Sequence, residues 1–124
     1  MSMVPTEAQE QIWLFKWAKI ASMRWPELET LFHVPNGGKR NVIEAARFKA
    51  QGVRAGVPDI FLPAPRGRYH GLFIELKRQT GGRVSVYQQK MIDALRMRGY
   101  CVEVCKGYHA AADLIERYLQ NRVE

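Results

Sequence analysis

Cysteine is scarce in this chain of 124 residues: there are two, Cys101 and Cys105. They stand four apart in Tyr100-Cys101-Val102-Glu103-Val104-Cys105, a segment of strand character. Four strand steps span about 13 Å, well beyond the roughly 7 Å that a disulfide allows between Cα atoms. No CxxC pair or Cys/His cluster occurs, and His33, His70 and His109 share no metal spacing, so a zinc site is not expected. No apolar run approaches the ~18 residues of a membrane span. The start, Met1-Ser2-Met3-Val4-Pro5-Thr6-Glu7, lacks the basic head and apolar stretch of a signal peptide. These absences together predict a reduced, cytoplasmic protein without a membrane partner. Serine is rare as well: Ser2, Ser22 and Ser85 are the whole supply, and none lies in a nucleophile motif. Gly37-Gly38-Lys39-Arg40 lacks the first glycine and the Ser/Thr of a P-loop, so no nucleotide cofactor is expected.

What is present is a globular composition with a strong charge bias. Hydrophobic residues make up 47% and charged residues 25%, enough for a core. A chain of this length is expected to form one domain, residues 1–124. Nineteen Lys and Arg against twelve Asp and Glu give a net charge of +7, which points to a polyanionic partner.

Thr6 and Gln9 form a capping box opening a segment without Gly or Pro that runs to Trp25 and is stopped by Pro26. Ile12, Phe15 and Ala18 fall on one stripe of it, and Leu14, Trp17 and Ala21 on a neighbouring one, predicting a well-buried helix. Trp13, Trp17 and Trp25 all fall in that helix, as core or as a subunit contact. Leu31 to Val34 reads as a short strand, broken by Pro35-Asn36-Gly37-Gly38. Asn41 to Gln51 reads as a helix with Asn41 as N-cap and Gly52 at its end. Pro58 to Leu62 and Leu72 to Lys77 read as a hairpin around Gly67. Val86 to Arg98 reads as a helix capped by Ser85, Cys101 to Cys105 as a strand and Ala110 to Asn121 as a last helix. The order α-β-α-β-β-α-β-α predicts an α/β fold, one mixed sheet with helices on both faces.

The hairpin holds the chemistry. A loop centred on Gly67 sets Asp59 opposite Glu75, with side chains on one face and Cβ atoms about 4.5–5.5 Å apart. Lys77, two residues beyond Glu75, shares that face. Ile60, Leu62, Leu72, Ile74 and Leu76 take the other face as core. Two carboxylates so close repel unless a cation or proton lies between them. Paired carboxylates bind Mg²⁺ while leaving positions for water and a substrate phosphate, and a neighbouring ammonium neutralises charge developing on a phosphoryl oxygen. A structural cluster in which Lys77 pairs with both acids would leave the same pattern.

Pro58-Asp59 followed by Glu75-Leu76-Lys77 resembles the PD-(D/E)XK nuclease motif. The set Thr6-Glu7, Pro35-Asn36-Gly37-Gly38, Gly56-Val57-Pro58-Asp59-Ile60, Ile74-Glu75-Leu76-Lys77, Ser85 with Gln88, and Gly99, in that order, resembles the VRR-NUC family of virus-type replication and repair nucleases. The resemblance runs from about Thr6 to Val104. It implies a restriction-endonuclease-like fold and a Mg²⁺- or Mn²⁺-dependent hydrolase of DNA phosphodiesters. Asp59 and Glu75 would be metal ligands with the Leu76 carbonyl, and Lys77 the catalytic lysine. Glu7 matches the family's acid on the first helix, although Glu10 lies about 60° round the same helix and could take its place. Gln88 matches a family glutamine and is equally placed to act as a cap.

Lys39, Arg40, Arg47, Lys49, Arg54, Arg66, Arg68, Lys77, Arg78 and Arg83 gather around the motif segments. Asn36, Lys39, Arg40, Arg54 and Arg78 are the candidate DNA contacts, through phosphates and without sequence preference. Stand-alone members resemble nucleases of branched DNA, so the expected activity is structure-selective, with a four-way (Holliday) junction resolvase as the specific form. Symmetric cutting needs two sites, which predicts a C2 homodimer with the tryptophan-rich first helix in its interface. A flap, nicking or exonucleolytic nuclease would use the same residues. A non-catalytic DNA-binding module would gain nothing from the two acids.

Overall fold

The computed structural model describes residues 3–35 and 41–123. Helix α1 (Glu7–Ala21) leads through a 3₁₀ turn (Pro26–Thr30) to strand β1 (Phe32–His33). Helix α2 (Val42–Ala50), strands β2 (Ile60–Leu62) and β3 (Leu72–Lys77), helix α3 (Val86–Met97), strand β4 (Cys101–Lys106) and helix α4 (Tyr108–Leu119) follow. The four strands form one mixed sheet in the order β1-β2-β3-β4. β2 runs antiparallel to both β1 and β3, and β4 lies parallel to β3 after the crossover through α3.

The expected element order and the expected face of the hairpin are both found. Ile60 pairs with Ile74 and Leu62 with Leu72, and all four are fully buried. They meet Leu14 and Ala18 of α1 and Ala111, Leu114, Ile115 and Tyr118 of α4 in the main core. On the opposite side, α3 packs against β4, with Ile92 and Val102 buried. Tyr118 anchors α4 beneath the hairpin by donating from its hydroxyl to the Ala64 carbonyl at 2.6 Å.

The first helix departs from expectation in its end and in its buried face. α1 ends at Ala21, not Trp25, and Trp25 caps the 3₁₀ turn with φ −121° and ψ 85°. The residue before a proline is driven out of the helical region, so Pro26 breaks the chain earlier than a stop placed at itself would. The tryptophans therefore do not share one helix. Nor are both stripes of α1 buried: Glu10, Leu14 and Ala18 form the buried line, whereas Ile12 is 55% exposed. Apolar residues lie all round this helix, so their spacing does not single out the inward face. α2 begins at its Asn41 cap as expected, yet among the described residues its backbone approaches no other helix or strand.

Candidate active site

β2 ends where the site begins. Asp59, the residue before it, fixes its main chain on the β1 side: its carbonyl accepts the Val34 amide at 2.6 Å and contacts His33 Nδ1 at 2.9 Å. Its side chain turns to the other neighbour, where Oδ2 accepts the Leu76 amide at 2.9 Å. A carboxylate thus takes the place of a ladder rung beside β3. Continued by two residues, the β2–β3 register sets Pro58 opposite Leu76. Proline has no amide hydrogen, so it gives the Leu76 carbonyl no ladder donor. In a strand the amide and carbonyl of one residue face the same neighbour. Lys77, the alternate residue, gives its carbonyl to the Gly107 amide beyond β4 at 2.9 Å, so the Leu76 carbonyl faces Asp59.

Glu75 and Lys77 project from the same face of β3 and are 2% and 7% exposed. Lys77 Nζ lies 3.5 Å from Glu75 Oε2. Burial, then the charge of Asp59 and a hydrogen bond with it, push the Glu75 carboxyl up to about 8 against the opposing pull of Lys77. Glu75 Oε1 is buried without a hydrogen-bond partner.

Gln88 closes the group from α3. Its Nε2 donates to Glu75 Oε2 at 3.2 Å, and its Oε1 accepts from Lys77 Nζ at 3.1 Å and from the Ser85 amide at 2.9 Å. The last bond is half of a capping box with Ser85, so the roles of cap and site residue coincide in one side chain. The segment before Asp59 is locked onto the same turn. Gly56 has φ +85°, and a Cβ there would lie 2.3 Å from the Tyr87 carbonyl oxygen and 2.9 Å from the Gln88 nitrogen. Only glycine allows that approach.

The first helix places its two acids differently. Glu7 is exposed in the first turn, while Glu10 is fully buried. Glu10 accepts from the Tyr108 amide at 3.0 Å and from Gln79 Nε2 at 2.9 Å. Gly107, the N-cap of α4, has no side chain to offer, so Glu10 supplies the helix N-terminus with its anion from across the core. Among the described residues, no group of three or more acidic, histidine or cysteine side chains gathers. The carboxylate pair stands with the Leu76 carbonyl, and among the described residues no third acid gathers with it.

The expected basic contacts divide. Asn36, Lys39 and Arg40 lie outside the described residues. Arg54 is exposed on the approach to β2. Arg78 is partly buried and donates to the Val4 carbonyl at 3.3 Å, which ties the N-terminal segment to the end of β3. Arg66 and Arg68 do not join the site: they sit in the hairpin loop at the opposite end of the strands, where Arg66 pairs with Glu27 and donates to the Leu119 carbonyl at 3.0 Å. Cys101 and Cys105 are free and buried, their thiols pushed up to about 11 and about 12 by burial, so neither is a nucleophile. Among the described residues, no helix is long and apolar enough to cross a membrane.

The family model for the VRR-NUC domain matches residues 6–109, which include every element of this site. The chain belongs to the VRR-NUC family. A solved structure described as a VRR_NUC domain protein superposes with a TM-score of 0.84 at 32% identity, covering 96% of this chain and 92% of that one. No curated protein matches. A nuclease-type domain is thus established, and VRR-NUC membership agrees with the motif from Pro58 to Lys77.

Proposed function

We propose that the chain is a divalent-metal-dependent endonuclease of branched DNA, with a four-way junction as its substrate and a homodimer as its working form. The observation that carries the catalytic part is the pairing of half-buried Asp59 with buried Glu75, one of whose oxygens is left without a partner. A cation between the two acids would relieve both the like-charge repulsion and that orphaned oxygen, so ion and proton compete for one position. Two carboxylates and a carbonyl suit Mg²⁺ or Mn²⁺, which leave several positions to water and phosphate. Asp59, Glu75 and the Leu76 carbonyl would hold the ion, and when bound it supplies Lewis-acid stabilisation of charge on the phosphoryl oxygens.

The chain's own groups do the rest. Lys77 presents its ammonium to the attacked phosphate and neutralises charge as water adds to phosphorus and the bridging P–O bond breaks. Gln88 holds that ammonium and the Glu75 carboxylate in one geometry, so neither has to reorganise during the reaction. Arg54 and the basic loop residues bind the phosphodiester backbone. Two such sites related by a two-fold axis would cut opposed strands of a junction symmetrically.

The test is cleavage of labelled junction, flap and linear duplex DNA in Mg²⁺, Mn²⁺ and EDTA, with Lys77→Ala alongside and the oligomeric state read by sedimentation. Metal-dependent symmetric cuts in the junction by a dimer, lost in Lys77→Ala, are expected. Cuts confined to flaps or duplex would keep the chemistry and discard the junction. Binding of every substrate with cleavage of none would overturn the enzyme.

A further inference from the structure

The row of residues beside the carboxylate pair is aromatic. Phe32 pairs with Phe61 and Phe61 with Phe73 across β1, β2 and β3. Their rings touch in sequence, Phe32 to Phe61 edge-on at 5.7 Å and Phe61 to Phe73 stacked at 4.3 Å. Tyr100 closes the cluster at 5.3 Å from Phe73. Alternation along the strands puts this row on the face of Asp59, Glu75 and Lys77, two residues and so about 7 Å from the carboxylates. None of the four rings belongs to the main core. Among the described residues no helix packs over them either: α1 and α4 lie on the far face, and α3 contacts β4. Phe32 is 48% exposed and the other three are partly so.

A sheet is adequately held by β-branched residues on such a face, so three phenylalanines in register, one exposed and two partly so, invite a flat ligand. We propose that Phe32, Phe61, Phe73 and Tyr100 form a stacking platform for unpaired nucleobases next to the cleaved phosphate. This rests on the nuclease reading for the position of that phosphate. A strand whose phosphate sits at Asp59 and Glu75 passes its neighbouring base across this row. Charge on the way out is favourable: Tyr100 also lines a cleft of about 290 Å³ with Arg68 and Arg96, where one acid, Glu103, lies 3.8 Å from Arg96. Aromatic faces accept any base, so the platform distinguishes unpaired from paired DNA without reading sequence.

The test is fluorescence anisotropy in EDTA with two labelled single strands of equal length, an oligothymidylate and an abasic strand of the same phosphates. The full chain should bind the based strand about tenfold more tightly or better. Phe32→Leu, which keeps apolar bulk at the edge strand, should lose several-fold of that preference with abasic binding unchanged. Equal binding of both strands by the wild type overturns the platform, as does a preference unchanged in Phe32→Leu. A change from dimer to monomer in Phe32→Leu with the preference intact would make the row a subunit contact and overturn it too. Base preference in a chain that cleaves no DNA with any metal would instead sink the nuclease reading and keep the platform.

Discussion

Lys77 Nζ and the Ser85 amide share one acceptor, Gln88 Oε1, at 3.1 and 2.9 Å. The cap of α3 and the ammonium of the site are therefore a single hydrogen-bonded unit. Gln88→Ala should cost about 1 kcal/mol through the lost cap, measurable by urea denaturation. It should cost cleavage far more, at least about tenfold in kcat, because Lys77 and Glu75 lose their common partner. Gln88→Glu keeps the capping box but sets a third carboxylate against Glu75, so it should cost stability through like-charge repulsion and impair cleavage as well. Full activity in both variants would leave Gln88 as a cap alone.

Pro58 is expected to matter through what it lacks. Pro58→Ala offers the Leu76 carbonyl an amide donor. The change in chain entropy and the new rung are each about 1 kcal/mol and oppose one another, so stability should change little. The metal concentration needed for half-maximal cleavage should rise several-fold as the carbonyl is drawn into the ladder. An unaltered metal requirement would remove Leu76 from the ligand set.

The Glu75 carboxyl makes the metal-free fold sensitive to alkali. Its folded value is pushed up to about 8 from an ordinary 4.5, by burial first and then by Asp59. A group that holds its proton more tightly in the folded state stabilises the fold while protonated. That contribution is fully present below about 4.5, falls as pH rises and is gone above about 8. Urea midpoints in EDTA should therefore decline across this window, and Glu75→Gln should flatten the decline. Parallel curves for the two proteins would refute the assignment.

The two acids of α1 are separable. Glu10→Ala strands the Tyr108 amide and strips α4 of its anion, so a loss of about 2–3 kcal/mol is expected from thermal or urea unfolding. Glu7→Ala, at an exposed position, should leave stability within about 0.5 kcal/mol. A cleavage assay on Glu7→Ala then reads function without a folding artefact. Loss of activity there would give the exposed acid a part in catalysis.

Much of this architecture is legible in the sequence. Alternation in Ile60, Leu62, Leu72, Ile74 and Leu76 fixes one hairpin face, and the centring on Gly67 gives the observed register, so Asp59, Glu75 and Lys77 converge by arithmetic. Ser85 with Gln88 spells a capping box, although the spacing could not tell that its amide also reaches Glu75. The inward line of α1 was hidden because Glu10, a charged residue, occupies it, and burial of a charge depends on a partner 98 positions away at Tyr108. The aromatic row is not legible in the sequence for a similar reason: Phe32 joins Phe61 only through strand order, which short-range pattern does not encode.

α2 carries a thermodynamic consequence. A helix of nine residues is shorter than isolated helices that persist in water, and its own caps are its main support. Among the described residues its backbone approaches no other helix or strand, and Phe48 is its one partly buried side chain, so it should open more readily than the sheet. Its amides would then exchange with deuterium orders of magnitude faster than those of β3. Slowed exchange in α2 would report whatever binds there.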